Sequence, residues 1–374
     1  MTRPANSQTD NLPDHCVEPS FSEAPASHTS TEADEKRPDG SARAYTVCGV
    51  TLVIFVAVTS AVSWWLYPVF VDTYYHMAVV YGFKQAGGVV TQAFWEMAPA
   101  GRVHIYPPAL HAAGYLFTYL GLTPRMFVTF VSWAFYAGCM LTTWLWLRRV
   151  AGPRSALFAV VLLCGPSAFF WNQSAHTANA AMMVVAPLAL LALETKKFLT
   201  CAVLNFIVIT LHPMGLFLPP ALVVNTILRR KKIRASLLAA VVPVLLYGPW
   251  LAHVWANRAL VSESRMGAAA LSLTGHGVNI GLVMAVFAAL AIPWLLLRRG
   301  SALTLLGAVL GFAVVFPMGY GSRFFMFNVH WPLACLGGFG LGELMRRLEK
   351  RSSLRPIAQV ASLCVALAAL IVFP

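Results

Sequence analysis

Negative charge is scarce in this chain. Of 374 residues only 14 are Asp or Glu, against 27 Lys or Arg, and eight of the 14 fall within the first 43 positions. Charged residues of both signs make up 11% of the sequence while 58% is hydrophobic, and the mean hydropathy is +0.68. So little charge cannot clothe a water-soluble surface, which excludes an ordinary soluble globular domain. Other absences narrow the field. There is no GxxxxGK-type loop to cradle a nucleotide. There is no CxxC pair and no Cys/His metal spacing, and six cysteines (Cys48, Cys139, Cys164, Cys201, Cys335, Cys364) lie in apolar segments, which argues against a disulfide framework or a zinc site. No short apolar stretch follows Met1, so the expectation is an uncleaved anchor helix and not a signal peptide. The net charge of +13 is gathered in short clusters between apolar segments, a distribution that membrane topology explains and nucleic-acid binding does not.

What the chain does have is long apolar runs. Runs of about 20 apolar residues can cross a hydrocarbon core of roughly 30 Å. Lipid offers no partner to an unpaired backbone group, so the fold class expected is all-α: an integral membrane, polytopic helix bundle. Spans are expected at 44–67, 126–147, 155–171, 177–194, 198–211, 213–228, 235–255, 279–297, 302–317, 325–345 and 356–373, about 11 transmembrane helices. The polar segment 1–43 reads as a disordered tail ahead of a transmembrane domain at 44–374. Lys36, Arg37 and Arg43 precede the first span and place the tail in the cytoplasm. Seventeen later cations, from Arg148 and Arg149 to Arg355, then face the cytoplasm, and six (Lys84, Arg102, Arg125, Arg258, Arg265, Arg323) face out. The plasma membrane is the expected location.

That parity requires the apolar stretch 105–121 not to cross. Pro107 and Pro108 at its start suit a helix that begins at the membrane surface, where a missing N–H does no harm. A first outer loop of about 68–125 follows, far longer than the other connections, and long structured loops commonly carry function.

The expected topology leaves three carboxylates on the outer face: Asp72, Glu96 and Glu263. Asp72 is the only aspartate beyond the tail. It is suited to capping an interfacial helix over 73–85, to deprotonating an acceptor hydroxyl, or to holding a divalent cation such as Mg or Mn together with His76. Glu96 would share that role or pair with Arg102. Glu263 reads as a solvated loop residue. Arg323, at the start of a span, would anchor at the interface or grip a phosphate through its guanidinium. His104, His111, His176 and His212 all fall on the outer side, which is consistent with either structural hydrogen bonding or a polar cavity.

The run Asp72-Thr-Tyr-Tyr-His-Met77, followed by Gly87-Gly88, Trp95, Pro99-Ala-Gly-Arg102 and Tyr106-Pro-Pro108, resembles the first outer loop of the GT-C membrane glycosyltransferases. It is most similar to the catalytic subunits of oligosaccharyltransferases. The resemblance implies a GT-C-like bundle with interfacial helices in that loop. It also implies transfer of a sugar from a polyprenyl-phosphate or -diphosphate carrier to a lipid, glycan or protein acceptor on the extracytoplasmic face. By the same resemblance Asp72 would be the catalytic or metal-binding acid with Glu96 as a second, and Tyr75, His76, Arg102, His104, Tyr106 and Arg323 would contact substrate. The stretch 171–179 holds no carboxylate where the family's second acidic motif would fall, no Trp-Trp-Asp-type motif occurs, and the sequence ends at Pro374. An enzyme adding a single sugar is therefore expected over transfer of an oligosaccharide to protein sequons. The competing classes are a multi-pass transporter, disfavoured by the absence of an internal repeat and of mid-span charge, and a catalytically inactive GT-C-like scaffold.

Overall fold

Helix dominates because lipid leaves the backbone no other partner than itself. A computed structural model of the chain describes residues 40–66, 71–97, 99–165, 167–174, 178–229, 232–259, 277–297, 300–315 and 328–350. The span expected at 356–373, the tail up to residue 39, His176, Glu263, Arg323 and the side chain of Asp72 lie outside the described set.

Among the described residues three helices are long and apolar enough to cross a membrane: α1 (Gly40–Leu66), α4 (Pro124–Ala151) and α10 (Ile233–Ala256). Local sequence sets the limits of α4 clearly. The Thr123 side chain accepts a hydrogen bond from the Met126 N–H at 3.1 Å, Pro124 opens the first turn, and Arg148 and Arg149 close the last turn against the helix dipole. Gly152, at a φ of 92° that other residues rarely adopt, turns the chain directly into α5 (Pro153–Cys164). Among the described residues the remaining helices are α6 (Ser167–Ser174), α7 (Ala178–Glu194), α8 (Phe198–Leu211), α9 (Leu218–Arg229), α11 (Gly277–Leu297), α12 (Thr304–Gly311) and α13 (His330–Glu349).

Helices thus occupy each expected span that the described residues cover, with three local departures. The expected span at 155–171 is divided at Gly165 into α5 and α6. The one at 213–228 opens with a 3₁₀ turn, Pro213–Phe217, whose Met214 N–H is capped by the ring Nδ1 of His212 at 3.1 Å. The one at 302–317 is a short α-helix flanked by 3₁₀ turns at Ser301–Leu303 and Phe312–Val315.

The helices pack in two connected arcs. Helix α4 lies against α1, α5 and α7; from α7 the contacts run through α8 and α10 to α9 and α12, and from α5 through α13 to α11. Close approach of α13 depends on its glycines: a Cβ at Gly338 would lie 2.5 Å from the Ala159 backbone, and one at Gly340 would lie 2.5 Å from the Phe287 carbonyl. Trp331 of α13 stacks on Trp146 of α4 at 5.6 Å and donates its indole N–H to Thr143 at 2.8 Å, so a buried polar atom is satisfied inside the bundle. At the end where α1 begins, Glu349 accepts a hydrogen bond from Tyr45 at 2.6 Å and pairs with Arg154, joining α1, α5 and α13.

Between α1 and α4 the chain forms a separate small assembly. Helix α2 (Val71–Ala86) is followed by a two-stranded antiparallel hairpin, β1 (Gln92–Ala93) and β2 (Arg102–Val103), and then by α3 (Ala109–Tyr119). With 11 residues α3 spans roughly 16 Å, about half of a hydrocarbon core. It packs sideways on α2, α4 and α8.

Candidate active site

The loop assembly is held together by aromatic rings and imidazoles. Helix α2 places Tyr75 and His76 one after the other. His76 is buried and Tyr75 is at the surface. Opposite them, Pro107 and Pro108 stop extended chain at the start of α3, which fixes Tyr106 just before the helix and His111 in its first turns. The two segments close on each other. His76 Nδ1 and His111 Nε2 are 2.8 Å apart, and their rings stack at 5.0 Å. The Tyr106 ring lies 5.8 Å from His76, 5.6 Å from His111, 6.2 Å from Tyr75 and 6.0 Å from His212, the residue between α8 and the 3₁₀ turn.

The hairpin supplies a second wall. Its tip is turned by Met97 at φ 51° and Gly101 at φ 75°, and the pairing continues through the His104 N–H to Thr91 carbonyl bond of 2.8 Å. Trp95 seats its ring on Gly82 of α2, where a Cβ would come within 2.2 Å of the indole. Phe83 stands between, 6.2 Å from Trp95, 5.6 Å from His104 and 6.0 Å from His111. From the bundle, His253 near the end of α10 reaches the His104 carbonyl at 3.0 Å, and Trp250 lies 6.2 Å from the His104 ring.

Burial decides the charge of this cluster. Desolvation holds the His76 imidazole down at about 3, and desolvation, then His253 and Arg102, hold His104 down at about 4. Both rings are therefore neutral at physiological pH, each offering one N–H and one lone pair. Among the described residues, Nε2 of His104 and Nε1 of Trp95 and of Trp250 are buried without a hydrogen-bond partner. Indole N–H groups normally find an acceptor when buried.

Two charged residues stand at the rim. Arg102 and Glu96 form an ion pair at 3.5 Å across the hairpin, with the arginine side chain 36% exposed. Of the two expectations for Glu96, pairing with Arg102 is the one observed. Asp72 lies in the first turn of α2, which begins at Val71, so the chain does not use it as the residue preceding a helix over 73–85. The expected site residues Tyr75, His76, His104 and Tyr106 thus converge with His111, while Arg102 flanks them. His111 was expected only as one of several outer histidines, and Trp250 and His253 were not expected at all. No spacing rule joins them to the loop, because His253 lies 149 residues from its partner.

Among the described residues no group of three His, Cys, Asp or Glu side chains is arranged to hold a metal, His76 directs Nδ1 at His111, and Glu96 is taken by Arg102.

With the loop docked on the bundle in this way, the fold can be compared with solved structures. No protein-family model matches the chain and no curated protein matches its sequence. Solved structures do match. The archaeal oligosaccharyltransferase AglB from Archaeoglobus fulgidus, in complex with an inhibitory peptide and a dolichol-phosphate, superposes with a TM-score of 0.57 over 87% of this chain at 12% identity. The same enzyme tethered to an acceptor peptide containing the NVT sequon gives 0.58 over 86% at 11% identity. The chain therefore shares the fold of these archaeal oligosaccharyltransferase structures. The chain spans about half the length of those structures, 55% and 54% respectively. A further match is the A. fulgidus enzyme in complex with Zn and sulfate, at a TM-score of 0.57 and 12% identity. A helical membrane bundle with a structured segment between α1 and α4 is the architecture within which the His–aromatic cluster sits.

Proposed function

We propose that the protein is a membrane glycosyltransferase that moves a sugar from a polyprenyl-phosphate or -diphosphate carrier to a lipid, glycan or protein acceptor on the extracytoplasmic face of the plasma membrane. In this reading the chain crosses the membrane about 11 times, with the tail in the cytoplasm and the first long loop outside. One observation carries it: Tyr75 and His76 of the Asp-x-Tyr-Tyr-His run, and Tyr106 of the Tyr-Pro-Pro run, pack as one group around His111 in a chain with the oligosaccharyltransferase fold. The dolichol-phosphate and acceptor peptides bound by the archaeal structures support this kind of donor and acceptor.

The chemistry proposed is a direct displacement with inversion. The acceptor hydroxyl loses its proton to the Asp72 carboxylate as its oxygen bonds to the anomeric carbon, and the bond from that carbon to the carrier phosphate breaks with its electron pair leaving on oxygen. Arg102, steadied by Glu96, and Arg323 would stabilise the departing phosphate. The neutral rings of His104, Trp95 and Trp250 would hold sugar hydroxyls without presenting a competing charge. The dependence on Mg or Mn expected from Asp72 and His76 remains part of the proposal, and no step above is routed through a metal.

The decisive comparison is wild type against Asp72→Asn, both in lipid nanodiscs, assayed for sugar release from radiolabelled polyprenyl-phosphate donors. Loss of transfer by two orders of magnitude or more is expected, in line with removal of a general base. Transfer undiminished in Asp72→Asn would refute the assignment of the base. No transfer by well-folded wild type with any donor would favour the inactive scaffold. Transfer unchanged after EDTA would remove the cation from the scheme.

A further inference from the structure

At the end of the bundle opposite the loop assembly, two helices begin side by side without a cap. Helix α8 starts after Lys197 and α10 starts after Lys232; neither has a side-chain cap, and neither carries an acid in its first turn. The two helices pack against each other. Lys232 takes a left-handed conformation, φ 44°, to bring the chain into α10. First-turn N–H groups have no acceptor within their own helix, and the aligned peptide dipoles leave partial positive charge there. Two such ends converging form an electropositive corner, of the sort that binds anions.

A cavity of about 50 Å³ opens at this corner, lined among others by Glu194, Lys196, Phe198, Asn225, Lys232 and Ser236. Phe198 and Ser236 belong to the first turns of α8 and α10. Asn225, on α9, is only 1% exposed, and neither its amide oxygen nor its amide nitrogen has a partner. Room for it is kept by Gly307 of α12, where a Cβ would lie 2.5 Å from the Asn225 oxygen. A buried amide with both atoms unsatisfied is costly in a native protein, so something polar belongs in the cavity. Glu194, the carboxylate among the described lining residues, accepts a hydrogen bond from Thr304 at 2.5 Å and stands against two lysines. Lys196 and Lys232 then leave the cavity with net positive charge.

We propose that this cavity binds a phosphate group, held by the N-termini of α8 and α10, by Lys196 and Lys232, and by the Asn225 amide. The volume is roughly that of a few water centres, enough for one tetrahedral oxyanion in their place. Lys196 and Lys232 belong to the cationic loops assigned to the cytoplasmic side, so the phosphate is either that of an anionic phospholipid headgroup at that interface or a free phosphate from solution. The site is independent of the loop chemistry, which lies at the far end of the bundle.

The test uses full-length protein. Retention of phosphatidylglycerol from mixed phosphatidylglycerol–phosphatidylcholine nanodiscs is read by native mass spectrometry, and the shift of the thermal midpoint with inorganic phosphate is read in detergent. Wild type is expected to respond to at least one probe. Lys196→Gln/Lys232→Gln, at exposed positions that leave the fold intact, and Asn225→Asp, which puts a near-isosteric negative charge in the cavity, should each weaken that response about tenfold or more. Arg148→Gln/Arg149→Gln, which removes two cations from the α4 end, should not. A response to the lipid alone identifies a headgroup, and a response to inorganic phosphate identifies a soluble ligand; both support the site. No response to either probe, or an equal loss in the Arg148/Arg149 variant, overturns it and leaves the cavity to water and the lysines to topology alone.

Discussion

His76 shows how a residue's environment changes its chemistry. An exposed histidine titrates near 6.5, and burial in the loop assembly takes His76 down to about 3 and His104 to about 4. Between pH 6.5 and these values the unfolded chain binds protons at both positions and the folded chain does not, so folded stability falls as pH falls. Each group contributes about 1.4 kcal/mol per pH unit across its window. The thermal midpoint of the wild type should therefore drop between pH 7 and pH 5, and His104→Gln should drop less steeply over the same interval. Equal slopes would show that His104 protonates alike in both states. That Tyr75, His76 and Tyr106 belong together was legible in the sequence because they stand in two compact runs. The His76–His111 pair was not, because 35 residues separate its members and only the docking of α3 on α2 brings them together.

At the scale of elements, the loop assembly depends on one close approach. Gly82 gives the Trp95 ring its seat on α2, and a methyl group there would sit 2.2 Å from the indole. Gly82→Ala must push Trp95 out or shift the hairpin, at a cost of about 1–3 kcal/mol. A lowered thermal midpoint and a red-shifted tryptophan emission are expected, with faster proteolysis at the hairpin. Gly88→Ala is the control, since nothing lies within 4 Å of a Cβ at that position. A Gly82→Ala protein indistinguishable from wild type in all three measurements would mean that Trp95 does not hold the hairpin to α2. The helices were legible from apolar run length, and α3 from the parity of charge together with its prolines. The hairpin was not, because two-residue strands carry no usable alternation, and its tip relies on Met97 in a left-handed conformation that no turn rule anticipates. The division of 155–171 into α5 and α6 falls at the Gly165-Pro166 pair, a local break signal that run length alone passes over.

For the whole molecule, function depends on which side of the membrane the loop assembly faces, and charge makes a definite statement about that. Between Gln92 in the hairpin and Lys196 lie α3, which the proposed topology keeps at the membrane surface, and then α4, the α5–α6 pair and α7. In the proposed topology these are three crossings, an odd number that would put the two residues on opposite sides, with Lys196 among the cytoplasmic cations. Both side chains are exposed, so each accepts a reporter without disturbing packing. Gln92→Cys and Lys196→Cys, each in a cysteine-free background, should respond oppositely to a membrane-impermeant maleimide: Gln92→Cys labelled on intact cells, Lys196→Cys only after permeabilisation. The divided segment makes this a sharp test. Helix α5 has 12 residues, about 18 Å of rise, and α6 has 8, about 12 Å, so the pair crosses only if the two act in series through Gly165. Labelling of both cysteines on intact cells would mean that they do not, and the count of about 11 crossings would fall with it. Labelling of Lys196→Cys alone would invert the molecule and place the Asp72 loop on the cytoplasmic side, where an acceptor outside the membrane could not reach it.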